Sequence, residues 1–138
     1  MTLDELKNKF NQFYSQFNGK SLEVVDASNV NQCVDLAVGF IDWIGVPRST
    51  VAGHLYASQI YTQPTSTTSQ FFDIIPNSAT FIPRIGDIVV FGGTPGHISV
   101  ANGTGDTNTF QSFDQNYPTG SVCHTVTHNY DNPKVLEC

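Results

Sequence analysis

The chain has 138 residues, 39% of them hydrophobic and including ten Phe and five Tyr, which suits one core in a single domain over residues 1–138. Its net charge is −6, and its six Lys and Arg residues are scattered, which excludes the clustered basic surface that nucleic acid requires. Met1 to Gly19 alternates charged and aromatic residues without an apolar run, so neither a signal peptide nor a membrane span is expected there, and no membrane partner.

Residues 2–18 carry Leu3, Leu6, Phe10, Phe13 and Phe17 at steps of three and four, which predicts an amphipathic helix. Thr2 and Glu5 form a capping box at its start, and Gly19 can end it. After a polar loop from Lys20 to Asn31, Cys33 opens a second periodic segment with Val34, Ala37, Phe40, Ile41 and Ile44, closed by Gly45 and Pro47. A third, weaker helix is expected from about Ser49 to Ile60. Thr62 to Gln70, rich in Ser and Thr and containing Pro64, reads as a loop. From Ala79 onward the pattern becomes short β-rich runs: Asp87–Phe91, His97–Asn102, Thr109–Phe113, Ser121–His128 and Lys134–Leu136. Helices first and strands second favour an α+β domain, with N-terminal helices packed on an antiparallel sheet.

Three cysteines, Cys33, Cys123 and Cys138, cannot all pair within one chain and show no C-x-x-C spacing. Cys123 and Cys138 could bridge, which leaves Cys33 to be explained. At a helix N-terminus its thiolate is favoured by unpaired N–H groups and the macrodipole. The same N–H groups, with the Gln32 side chain as a further donor, could stabilise an oxyanion. The alternative is a small buried apolar residue, a common fate of free cysteine.

A nucleophilic thiol needs a base, and imidazole titrates in the right range. Of the four histidines, His97 begins an apolar strand directly after Gly92-Gly93-Thr94-Pro95-Gly96, whereas His54, His124 and His128 lack that setting. A third group must fix the imidazole's tautomer. Asp114, ending a strand expected to pair with that of His97, and Asn116 both qualify, although both also suit a turn.

Four ordered motifs resemble one known family. They are Asn31-Gln32-Cys33-Val34-Asp35-Leu36-Ala37, Pro83-Arg84-Ile85-Gly86-Asp87-Ile88-Val89-Val90-Phe91, Gly96-His97-Ile98-Ser99-Val100 and Phe113-Asp114-Gln115-Asn116-Tyr117. Together they look like the CHAP domain of phage endolysins, tail-associated wall hydrolases and bacterial autolysins, over about Gly19 to Leu136. The resemblance implies a papain-like α+β fold acting on bacterial peptidoglycan, reaching the wall by phage release, on a virion or by secretion; nothing in the sequence pattern demands a dimer, so a monomer is expected. It implies a peptidoglycan hydrolase, either an N-acetylmuramoyl-L-alanine amidase or a stem or cross-bridge endopeptidase. Cys33 would attack the amide and His97 act as base and acid. Members most often carry Glu where Asp114 stands, so the orienting role falls either to Asp114, the first choice, or to Asn116.

Gly86-Asp87 matches the family's strand-entry turn, with Asp87 in a structural, capping role. No cofactor is implied for the chemistry. Some relatives bind calcium ahead of the catalytic helix; here Asp26 and Asp35 fit that pattern, while Val24 replaces an acid and Ser28 and Val30 offer little. Residues 50–80, the least motif-like stretch, are expected to wall the cleft. The rival readings are the related NlpC/P60 hydrolases and, from another class, a non-catalytic wall-binding or tail-structural module that retains the fold.

Overall fold

The computed structural model describes residues 1–24, 32–48, 57–93, 96–130 and 133–137. Helix α1 runs Leu3–Phe17; Thr2 Oγ1 accepts from the Glu5 N–H at 3.1 Å, the expected capping box. Leu6, Phe10 and Phe13 are buried on its inner face, while Leu3, in the first turn, is half exposed. Helix α2 runs Cys33–Trp43. It ends where Gly45 takes φ +79°, a left-handed turn in which its own N–H and that of Val46 bond back to Asp42 and Ile41.

Between the helices and the sheet the structure departs from the sequence expectation. Only a single turn, α3 at Gln59–Thr62, is found near the end of the expected Ser49–Ile60 helix, whose first eight residues lie outside the described residues. The segment expected as a loop contains helix α4, Ser66–Phe71. Hydroxyls start it: Thr65 Oγ1 accepts from Thr68 N, and Thr68 Oγ1 accepts from Thr65 N, both at 3.2 Å. A short edge strand, β1 at Asp73–Ile75, also precedes the expected switch to strands at Ala79.

Five further strands follow: β2 Ile88–Phe91, β3 His97–Gly105, β4 Thr109–Asp114, β5 His124–Asn129 and β6 Lys134–Glu137. They form one antiparallel sheet in the order β1-β6-β2-β3-β4-β5. Side-chain alternation divides the strands between two faces. Ile88, Val90, Ile98, Val100, Phe113 and Leu136 point to α1 and α2 and share one core with Phe10, Phe13, Leu36 and Phe40. Val89, Ala101, Phe110 and Val135 form a second, smaller cluster on the opposite face, with Phe81, Phe91 and Tyr130 against it. The domain is therefore α+β, as expected. Asp87 caps the turn into β2 through the Arg84 N–H at 3.0 Å, the structural role expected of it.

Candidate active site

Alternation along β3 and β4 puts His97 on the same face as Ala101, and Asp114 on the same face as Ser112 and Phe110. The two side chains meet: His97 Nε2 stands 2.7 Å from Asp114 Oδ2. Asp114 is fully buried and the His97 side chain is 11% exposed. The other partner of the imidazole is the Cys33 thiol, brought to it by the first turn of α2. With Nε2 taken by Asp114, Nδ1 is the ring nitrogen left for Cys33.

The electrostatics follow from these contacts. Burial pulls the His97 imidazole down, but hydrogen bonds and charge from Asp114 and Cys33 outweigh it, leaving the pKa raised to about 9. Burial would push the Asp114 carboxyl up, yet hydrogen bonds and charge from His128 and His97 hold it below the usual carboxylate range. Ser112 Oγ donates to the remaining Oδ1 at 2.5 Å.

The backbone that presents the imidazole is tightly constrained. Gly96, just before His97, has φ +75°, and a Cβ there would stand 2.7 Å from the Phe91 carbonyl oxygen and 2.9 Å from Ser58 Cβ, so glycine is required. Ser58 Oγ in turn donates to Gly93 O at 2.8 Å, tying the glycine-rich turn to the α3 region.

Asn116 does not bond His97. It sits in the left-handed region, φ +62°, which Asn tolerates; its Oδ1 accepts from Gly120 N at 2.6 Å and its Nδ2 donates to Gln32 Oε1 at 3.2 Å. It thus steadies the side chain of Gln32, next to Cys33, rather than the imidazole. Gln115, to which the sequence assigns nothing, is fully buried and acts as a clasp. Its Nε2 donates to Leu22 O at 3.0 Å and Gln32 O at 2.8 Å, and its Oε1 accepts from Leu22 N at 2.6 Å and from Cys123 Sγ at 3.3 Å. The end of β4 therefore fixes the residue that precedes Cys33.

Cys123 carries a free thiol; Cys138, with which it could bridge, lies outside the described residues. Asp35 is buried and accepts backbone N–H groups from Val24 at 3.0 Å and Gln32 at 2.8 Å, so its carboxylate caps α2. Asp26, with Ser28 and Val30, lies outside the described residues, and the calcium pattern finds no further carboxylate beside Asp35 among those described. His97, Asp114 and His128 bring three ligand-type atoms within 4.8 Å of one another. Their 2.7 and 2.8 Å separations are hydrogen-bond distances, whereas ligand atoms around tetrahedral zinc lie about 3.3 Å apart.

His128 is the largest departure from the sequence expectation, which set it aside with His54 and His124. It is 6% exposed and its Nε2 lies 2.8 Å from the same Asp114 Oδ2 that His97 uses. The signal was the register: β5 pairs His128 with Phe110, on the Asp114 face. His124 instead is bonded to Val122 O, and His54 lies outside the described residues. A cavity of about 540 Å³ opens on His97 and His128, walled by the Gly92–Gly93 turn, Tyr117 and residues 127–129. Of residues 50–80, expected to wall the cleft, 50–56 lie outside the described residues, and the others do not line this cavity, which Cys33 does not line either. Tyr117 stacks obliquely on both imidazoles, with ring centroids 4.8 and 5.1 Å away.

No known family profile and no curated protein matches the chain. Solved structures do match. A crystal structure of the wild type endolysin LysIME-EF1 superposes with a TM-score of 0.74 at 24% identity, covering 95% of this chain and 62% of that one. Ly7917 alone gives 0.65 at 16% identity, and Ly7917 with the hydrolyzing product of MDP gives 0.64 at 17%; each match covers 99% of this chain. The chain spans about three fifths of the length of these proteins, and the likeness is one of fold.

Proposed function

We propose that the chain is a cysteine-dependent peptidoglycan hydrolase of the CHAP type. The observation that carries the reading is the line Cys33, His97, Asp114: a thiol at a helix N-terminus, an imidazole whose pKa that thiol raises, and a buried carboxylate on the imidazole's Nε2. The fold shared with an endolysin supports the wall as substrate, as does the peptidoglycan-fragment product bound to Ly7917.

In this reading His97 Nδ1 takes the Cys33 proton and the thiolate attacks the carbonyl carbon of a wall-peptide amide. The resulting oxyanion is met by the Cys33 backbone N–H, one of the first-turn donors that no intrahelical carbonyl accepts. The Gln32 amide, whose Oε1 Asn116 holds, supplies the second donor through Nε2. Collapse breaks the C–N bond as the imidazolium gives its proton to the leaving amine. Water, deprotonated by His97, then hydrolyses the thioester and restores the thiol. Asp114 keeps the proton on Nε2 throughout, so Nδ1 stays available to sulfur. All these groups lie in one chain, and the steps need no cofactor.

The test is turbidity loss of purified bacterial walls with wild type, Cys33→Ala and His97→Ala, each with calcium and with chelator. Lysis by wild type alone is expected, in chelator as well, and mass spectrometry of the fragments then separates amidase from endopeptidase cleavage. Folded wild type that binds walls without releasing fragments would reject the reading in favour of a binding module.

A further inference from the structure

Resting on that reading of the site, we infer that His128 is a positioning residue for the reaction, holding Asp114 in the orientation that His97 requires. The argument begins with proton placement. Asp114 has three polar contacts: Ser112 Oγ on Oδ1, and His97 Nε2 and His128 Nε2 on Oδ2. An ionised carboxylate only accepts, so both imidazoles must carry a proton on Nε2. The charge-assisted bonds this creates are the strong kind.

Geometry supplies the second step. An aspartate side chain with one partner can turn about its two side-chain bonds; one gripped through both oxygens from separate residues cannot. Ser112 lies on the same strand as Asp114, so it restrains the carboxylate only locally. His128 reaches it from β5, at 6% exposure, with its ring set against Phe91, Phe110 and Tyr117 at centroid distances of 4.9, 5.5 and 5.1 Å. A ring so packed offers its N–H from a fixed point. Oδ2 therefore stays in place while the His97 imidazole gains and loses its proton at Nδ1. His128 does not need to touch substrate for this role, and it makes no contact with Cys33 among the hydrogen bonds of the described residues.

The experiment compares wild type, His128→Phe and His128→Gln. Phe keeps the aromatic packing and removes the donor, whereas the Gln Nε2 can restore a donor near the same point. Two readouts are taken: nitrogen-15 NMR of the histidine rings more than one pH unit above the His97 value of about 9, where its imidazole is neutral, and the rate of Cys33 alkylation by iodoacetamide at pH 7, followed peptide by peptide. Wild type is expected to hold the proton on Nε2 of both His97 and His128. In His128→Phe the His97 signals should move to tautomer-averaged values and Cys33 alkylation should slow roughly tenfold, while His128→Gln stays within about twofold of wild type.

A folded His128→Phe variant that keeps the wild-type His97 signals and an unchanged or faster Cys33 rate overturns the inference. So does a wild-type spectrum with the His128 proton on Nδ1, a measurement that decides the matter even if His128→Phe does not fold. Slow Cys33 alkylation already in wild type would instead count against the nucleophile assignment, and the His97 ring signals would still report on His128.

Discussion

Asp114 and Asp87 are both fully buried acids on the same sheet, yet their environments drive them in opposite directions. Two imidazoles face Asp114, and its carboxyl is held below the usual range despite burial. Asp87 faces another carboxyl, Glu137, and burial with that neighbour raises it to about 8, against a smaller opposing pull from Arg84. The two buried thiols repeat the contrast. Cys33 has His97 for a partner, whereas Cys123 donates to an amide oxygen and burial pushes it up to about 11. Depth is common to all four groups; the chemistry of the neighbour decides which can take part in proton transfer.

The largest test of that contrast is paired substitution of the acids. Asp114→Asn keeps the shape but can present an N–H to His97 Nε2, favouring the wrong tautomer, and wall hydrolysis should fall by about 10³- to 10⁴-fold. Asp87→Asn should leave hydrolysis within about twofold. Equal losses in the two variants, measured on soluble wall fragments with folding checked by circular dichroism, would erase the distinction.

The thiols give the next largest difference. At pH 7 Cys33 should be alkylated at least about 100-fold faster than Cys123, because only the thiolate reacts and only Cys33 has a proton acceptor beside it. Mass spectrometry of the two peptides after timed quenching reads the ratio. Comparable rates would remove the reason for calling one of them the nucleophile.

A pH profile then sharpens the His97 half of the comparison. The pKa of His97 is raised to about 9, so the imidazolium proposed to protonate the leaving amine persists through neutral pH. Activity should decline as pH rises through about 9, approaching tenfold per unit beyond it. The linked stability has the same direction: it is complete below the ordinary histidine value of 6.5 and is lost as pH climbs from there to about 9. In Asp114→Asn the limb should move to lower pH.

Much of this was legible in the chain itself. Periodicity found α1 and α2, and the glycine turn before an apolar strand singled out His97, because local pattern and local chemistry coincide there. What escaped notice depended on contacts distant in sequence. His128 becomes significant only through the β4–β5 register, which sets it opposite Phe110 and over Asp114. Gln115 looks like a turn residue until it bridges Leu22 and Gln32, more than 80 positions away. Helix α4 was hidden because its cap is made by two threonines in a Ser/Thr-rich stretch that reads equally well as a loop. The division of labour between Asp114 and Asn116 also needed coordinates, since a strand end and the turn after it point side chains to different sides.

The smallest expected effect concerns Asp87 and is one of stability. Arg84 Nε lies 3.6 Å from Asp87 Oδ1 and 3.4 Å from Glu137 Oε2, so one half-exposed cation faces two carboxyls. A single positive charge favours one ionised partner and a shared proton, and burial puts that proton on Asp87. Since its folded value is raised from 3.8 to about 8, the fold binds a proton that the unfolded chain releases. Stability is then full below about pH 4 and declines as pH rises toward 8. Asn at position 87 keeps an acceptor for the Arg84 N–H and supplies a fixed donor to Glu137, so it cannot lose that proton. Urea unfolding should find Asp87→Asn close to wild type at pH 4 and more stable by about 1–3 kcal/mol at pH 8. A wild type that gains stability between these pH values more steeply than the variant would mean that Arg84 holds Asp87 ionised, and the two buried acids would no longer differ in kind.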